Sequence, residues 1–111
     1  MTRKSARPGQ PVRGSTSGRP IMVLLDLLGR RWSLRALWEL RDGPQTFRDL
    51  QERCGDISPT VLNRRLHELR EAAIIEHAEG GYRYTRWGHE LTAQLAELDE
   101  WSARWAKGAS K

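Results

Sequence analysis

The sequence predicts a mainly α-helical domain that carries one small β-hairpin, and three observations lead there. Two short amphipathic segments are joined by a four-residue turn at residues 54–57. A compact hairpin pattern, closed by Gly80-Gly81, follows the second segment directly. A long segment with an apolar seam then ends the chain. Helix, helix, helix-turn-helix, hairpin and long helix, in that order, make a winged helix-turn-helix. The order is more specific than any one of its parts.

The elements can be justified in turn. Pro20 suits a first helical turn, and Ile21, Leu24, Leu25 and Leu28 recur as one helical face that Gly29 closes. A second helix is expected over residues 33–41, burying Leu34, Leu37 and Trp38. Asp42-Gly43-Pro44 ends it, because glycine takes a left-handed backbone and proline blocks continuation. A third opens at Thr46, with Asp49 at near capping-box spacing and Phe47 and Leu50 as core contacts; Cys54-Gly55 stops it. A fourth starts with Ser58 as N-cap and Pro59 in the first helical position, and it buries Val61, Leu62, Leu66 and Leu69. Residues 74–77 and 82–85 read as the hairpin strands, and residues 87–107 as the last helix. There Leu91, Leu95, Leu98 and Trp105 lie near a heptad seam, with Trp101 beside it.

Length and composition narrow the function. The 111 residues fit one domain with a modest core and leave little room for a separate catalytic domain. No run of about 18 apolar residues spans a membrane, and the basic N-terminus lacks the apolar run of a secretory signal. A lone cysteine, Cys54, excludes an internal disulfide and suits a reducing cytosol, so a cytoplasmic protein is expected. The net charge of +5 resides in Arg3, Lys4, Arg7, Arg13 and Arg19. The other 14 basic side chains are balanced by 14 acidic ones. Residues 1–19, rich in Gly, Pro, Ser, Thr and Arg, are read as a disordered basic arm ahead of a domain over residues 20–107. Such an arm is either a plain flexible terminus or a segment that tracks DNA.

The high pI belongs to the arm, so the case for nucleic acid rests on local pattern. In a helix-turn-helix the second helix enters the major groove and its outer face reads bases. On the recognition helix, residues 58–71, the apolar positions leave Thr60, Asn63, Arg64 and His67 on one outer face. Arginine pairs with guanine and asparagine with adenine through two hydrogen bonds each, and threonine suits a phosphate or a thymine methyl. Arg65 and Arg70 flank this face as phosphate contacts. Ser58 at the cap and Arg83 on the hairpin complete the candidate DNA-binding set. The bland alternative is a solvated polar face, which the helix-turn-helix order and the hairpin disfavour.

The last helix would be about 30 Å long, more than a small domain covers. Leu91 serves the core, while Leu95, Leu98, Trp101 and Trp105 lie further out. Together with Leu25 of the first helix they form a candidate homodimer interface, since monomers rarely keep such a patch in water. A two-fold dimer places two recognition helices about one DNA turn apart, which suits an inverted-repeat operator on double-stranded DNA.

Four motifs carry a family resemblance. Gly29-Arg30-Arg31-Trp32-Ser33-Leu34 resembles a Gly-Gly-Lys-Trp-Thr-Leu signature, and Asp42-Gly43-Pro44-Gln45-Thr46-Phe47-Arg48-Asp49-Leu50 resembles D-G-P-x-R-F-x-E-L. Ile57-Ser58-Pro59-Thr60-Val61-Leu62, continued by Arg65-Leu66-His67-Glu68-Leu69, is similar to I-S-x-x-x-L-x-x-R-L-x-x-L. Tyr84-Thr85-Arg86-Trp87-Gly88-His89-Glu90-Leu91 is similar to Y-x-L-T-x-x-G-x-E-L, shortened by one residue. These mark the HxlR family of bacterial winged-helix regulators, over roughly residues 20–107. The resemblance implies homodimers that bind two half-sites through their recognition helices. Three departures stand out. The wing is shorter than usual, turning at once at Glu79-Gly80-Gly81-Tyr82. Arg19, not the cysteine of oxidant-sensing members, precedes Pro20. Ala72-Ala73-Ile74-Ile75 replaces D-G-L-V and so lacks the glycine that most easily adopts a left-handed helix end.

Other functions find less support. No HExxH, paired CxxC, phosphate-cradling loop or nucleophile elbow is present, so no enzyme and no cofactor is expected. His67, His77 and His89 fall on different elements at no ligand spacing, so no metal site is expected. Cys54 reads as a small buried residue. No stacking aromatics interleave the basic face as RNA binding would want. A winged-helix module that pairs only with protein is the main alternative; steep loss of DNA affinity with salt separates the two. Trp38, Trp87, Trp101 and Trp105 either pack in the core and dimer or line a pocket for a small-molecule effector, whose identity the sequence leaves open.

Overall fold

A computed structural model describes residues 18–110. Most of the expected arm, residues 1–17, lies outside the described residues. Five helices and one hairpin follow in order: α1 (Pro20–Leu28), α2 (Ser33–Trp38), α3 (Phe47–Arg53), α4 (Pro59–Glu71), β1 (Ile75–Ala78), β2 (Gly81–Tyr84) and α5 (Arg86–Ala109). The fold class is the one expected: mainly α, with a β-hairpin directly behind the second helix of a helix-turn-helix. The core is one cluster, built on Val23 and Leu27 of α1, Ala36 and Leu37 of α2, Leu50 of α3 and Leu62, Leu66 and Leu69 of α4. Ile75, Tyr82 and Tyr84 of the hairpin close it.

Two helices turn different faces inward from those the periodicity suggests. In α1, Val23 and Leu27 are buried, Leu24 and Leu28 lie at the core margin, and Ile21 and Leu25 are exposed. The helix is apolar nearly all round, so spacing does not choose its face. Asp26, beside Val23 on the helix, marks the inward side: its side chain is 8% exposed and bonds Arg30 at 2.8 Å. In α2 the regular helix stops at Trp38, before residue 41. Tighter three-residue bonds follow, from Leu40 N to Leu37 O and from Arg41 N to Trp38 O. The tightening carries Leu40 into the core, while Leu34 faces out and Trp38 is half-buried under the Arg41 guanidinium.

The end of α4 keeps the left-handed geometry without the glycine. Ala73 has φ +62°, and Ile74 N donates to Leu69 O across the helix end, as in a Schellman cap. An L-residue with a Cβ is strained there by about 1–2 kcal/mol. Ala73→Gly is therefore expected to raise stability by about 1 kcal/mol despite the greater freedom it gives the unfolded chain. Urea denaturation followed by circular dichroism checks this; an unchanged or lower midpoint would show that Ala73 is not strained.

The strands pair antiparallel, with Ile75 opposite Tyr84 and Ala78 opposite Gly81. The turn is thus centred on Glu79-Gly80, one residue earlier than Gly80-Gly81. Gly81 belongs to the return strand for a steric reason. The chain between α2 and α3 docks beside it, with Gln45 and Tyr82 exchanging backbone hydrogen bonds of 3.0 and 2.8 Å. A Cβ on Gly81 would sit 2.2 Å from Gln45 O. That single rung ties the wing to the start of the helix-turn-helix. At the other end of the hairpin, Tyr84 donates a 2.5 Å hydrogen bond to Leu37 O.

Candidate nucleic-acid interface

Local chemistry sets the two helices of the reading unit. Thr46 Oγ1 accepts from Asp49 N at 3.1 Å and caps α3; Ser58 Oγ accepts from Val61 N at 3.4 Å and caps α4. Between them the chain reverses through two left-handed residues, Gly55 (φ +75°) and Asp56 (φ +60°). Gln51 Nε2 clamps the turn by donating to Ile57 O at 2.9 Å. With Leu62, Leu66 and Leu69 buried, α4 has one rotational setting open to it.

That setting exposes the expected face. Thr60, Asn63, Arg64, His67 and Arg70 are all solvent-exposed. At about 100° per residue they occupy one continuous arc opposite the leucines. Thr60, Asn63, Arg64 and Arg70 make no side-chain hydrogen bond or ion pair among the described residues. His67 Nε2 lies 3.7 Å from the Glu71 carboxylate, and Ser58 is exposed while its hydroxyl serves as the cap. On the hairpin, Arg83 is exposed but its Nε donates to Glu76 at 2.7 Å across the strand pair.

Arg65 differs from the rest of the candidate set. Its side chain is only 14% exposed and turns towards the body of the protein. Nε donates to Arg31 O at 2.7 Å and Nη1 to Glu68 Oε1 at 2.9 Å. Those bonds replace the flanking phosphate contact expected of it. Glu68 is itself buried and also pairs with Arg30 at 3.2 Å; Arg30 in turn bonds Asp26. A buried chain of charges, Asp26–Arg30–Glu68–Arg65, therefore joins α1, the following turn and α4. Sequence reasoning passed over it, although two signals were present: Asp26 to Arg30 at a four-residue interval, and Arg65 to Glu68 at three.

Cys54 sits under the turn of the reading unit, 1% exposed. Burial pushes its thiol above the ordinary value of 9.0, with Arg35 opposing and Glu39 adding. Burial likewise raises Tyr84 above 10.0. Both groups are neutral when folded and release their protons more readily when unfolded. Their contribution to stability is thus intact below pH 9.0 and falls as the pH rises through the raised folded values. The protonated, covered thiol is expected to resist diamide, leaving DNA affinity unchanged in a mobility-shift assay. If diamide releases DNA and Cys54→Ser prevents the release, Cys54 is reactive after all.

The apolar residues named for a dimer lie on α1 and α5. Of the large apolar residues of α5, Leu91 and Leu95 pack against the core, beside the buried Gly88 and near His89, which stands edge-on to Tyr84. Leu95 thus serves its own domain, closer in than its place in the seam suggests. Leu98, Trp101 and Trp105 are each half or more exposed, and the two indoles stack at 5.9 Å between centroids. Ile21, Leu25 and Trp87 are exposed to a similar degree. No helix among the described residues is long and apolar enough to cross a membrane.

A helix-turn-helix with a free polar face on its second helix, a tethered hairpin wing and a long terminal helix defines a winged-helix DNA-binding transcription regulator. The chain belongs to the HxlR family: residues 27–110 match the model described as HxlR-like helix-turn-helix. It is 30% identical over 96 residues to the HTH-type transcriptional regulator YodB of Bacillus subtilis, covering 80% of this chain and 86% of that protein. The crystal structure of quinone-bound YodB superposes with a TM-score of 0.70 at 32% identity, over 76% of this chain and 96% of that one. A structure described as a possible HxlR family transcriptional factor from Thermoplasma volcanium gives 0.67 at 26% identity, over 76% of this chain and 82% of that one. A MarR-family structure from Enterococcus faecalis shares the fold at 24% identity, with a TM-score of 0.70 over 81% of this chain and 88% of that one.

Proposed function

We propose that this regulator binds an inverted-repeat operator in double-stranded DNA as a homodimer, inserting one α4 per half-site into the major groove. The observation that carries this reading is the α4 arc. Asn63 and Arg64 stand exposed with no partner among the described residues, on a helix whose other side is locked by leucines and by Arg65. Unengaged amide and guanidinium groups on a fixed helix are what bidentate contact with adenine and guanine requires. Thr60, His67 and Ser58 line the same surface, and Arg70 at its edge suits a phosphate. In this reading residues 20–107 form the DNA-binding and dimerisation unit, residues 1–19 form a basic arm, and the protein works in the cytoplasm. Arg19 stands directly before Pro20, so release by oxidation at that position forms no part of the proposal.

The test is a mobility shift with duplexes that the wild-type protein selects from a random pool, across a salt series. Asn63→Ala and Arg64→Ala are each expected to lower affinity for the selected duplex by about 1–3 kcal/mol. Binding to a scrambled duplex should change little. Equal loss on both duplexes would make these residues phosphate contacts. Absence of salt-dependent binding in the wild type would favour a protein-interaction module.

A further inference from the structure

We propose that Arg65 and Glu68 are positioning residues for DNA reading, holding the recognition helix at its working angle against α1 without touching DNA. This inference rests on the DNA-binding reading above. The leucine side of α4 fixes which face points outwards, but apolar contacts are non-directional and leave the tilt and axial position of a helix soft. Directional bonds remove that freedom. Arg65 supplies two of them from one planar group: Nε to Arg31 O at 2.7 Å and Nη1 to Glu68 at 2.9 Å. The first ties α4 to the backbone of the α1–α2 turn. The second ends on Glu68, which forms an ion pair with Arg30 at 3.2 Å without a hydrogen bond, and Arg30 hydrogen-bonds Asp26 of α1 at 2.8 Å. Glu68 is 4% exposed and Arg65 14%, so water offers these charges little competition.

The placement matters because Arg64 immediately precedes Arg65 in the chain and Asn63 lies one residue further back. A fork anchored at residue 65 sets where those two side chains project. Bidentate base contacts are sensitive to displacements of under about 1 Å, whereas phosphate contacts by long, flexible side chains adjust. Loosening the fork should therefore cost operator affinity and spare general DNA affinity. Arg31, whose carbonyl receives the fork, lies on the α1–α2 turn, so the attitude of α4 is referred to α1, the helix that also exposes Ile21 and Leu25.

Arg65→Lys keeps the charge but cannot reproduce the planar two-bond geometry. Glu68→Gln keeps the shape and removes the charge that joins Arg65 to Arg30. Each is to be assayed at a temperature where circular dichroism shows it folded, on the selected and scrambled duplexes across the salt series. Both variants are expected to bind the selected duplex about tenfold or more weakly, about 1.4 kcal/mol. The scrambled duplex should be bound as by wild type, with the same salt slope. Wild-type affinity for the selected duplex in a folded variant would overturn the proposal and leave the pair a purely stabilising one. So would parallel loss on both duplexes, which marks a contact with the phosphates. Either variant suffices if the other does not fold. Failure of the wild-type protein to enrich any duplex is a separate result, and it would remove the DNA-binding reading itself.

Discussion

Replacing Glu68 by alanine is expected to remove about 3–5 kcal/mol of stability, the cost of breaking a buried ion pair by deleting one partner. Glu68 stands between Arg30 and Arg65, whose side chains are 18% and 14% exposed. Without it, two guanidinium groups face each other in a space that water enters poorly, with Asp26 left to balance them. A domain of this size has about 5–15 kcal/mol in all, so the variant should unfold at a far lower urea concentration. An exposed pair provides the comparison. Arg86 and Glu90 lie 3.1 Å apart with side chains 83% and 56% exposed, and Glu90→Ala should cost under about 0.5 kcal/mol. Urea titrations of the two variants decide the matter. A similar small loss in both would mean that solvent screens the Glu68 cluster.

Leu98→Asp combined with Trp105→Asp is expected to convert the proposed dimer into a folded monomer that binds operator poorly. Leu98 and Trp105 are 56% and 59% exposed in the single chain, beyond the reach of a core that ends at Leu95. Full burial of such a side chain contributes about 1.5–3 kcal/mol before entropy losses. The proposed two-fold interface would bury each residue twice, and Ile21 and Leu25 are further exposed apolar residues it could cover. Introducing four carboxylates per dimer replaces that gain with mutual repulsion. The fold should survive, because neither residue supports the core. Sedimentation at micromolar concentration should show a dimer for wild type and a monomer for the variant. Operator affinity should fall because two linked half-site contacts become one. A monomeric wild type would remove the dimer from the proposed function.

Most of the fold is legible in the sequence because local rules and global packing agree along most of the chain. Thr46, Ser58 and Thr85 each cap the helix that follows them. Pro20 and Pro59 stand at first helical positions, and the spacing of Leu62, Leu66 and Leu69 fixes the outer face of α4. The reading arc follows from that spacing without knowledge of any tertiary contact. The left-handed stop after α4 was one exception, since Ala73 adopts it with no glycine to signal it.

The sequence by itself determined the order of elements, the helix-turn-helix and the residues that α4 can offer to DNA. Each of these follows from periodicity, caps and breakers, which act within a few residues of one another. Only the tertiary structure decided the rest. The inward face of α1 is one case, because a helix apolar on nearly every side has no preferred direction until Arg30, paired with Asp26, meets Glu68 from α4. The placement of Gly81 is another, because the need for a missing Cβ comes from Gln45, 36 residues away in the chain. Arg65 is the third. On the helix surface it is one more arginine beside Arg64, and its bonds to Arg31 O and Glu68 exist only once α4 lies against the α1–α2 turn. A directional bond between distant residues depends on both ends being brought together, and no pattern within one element records that.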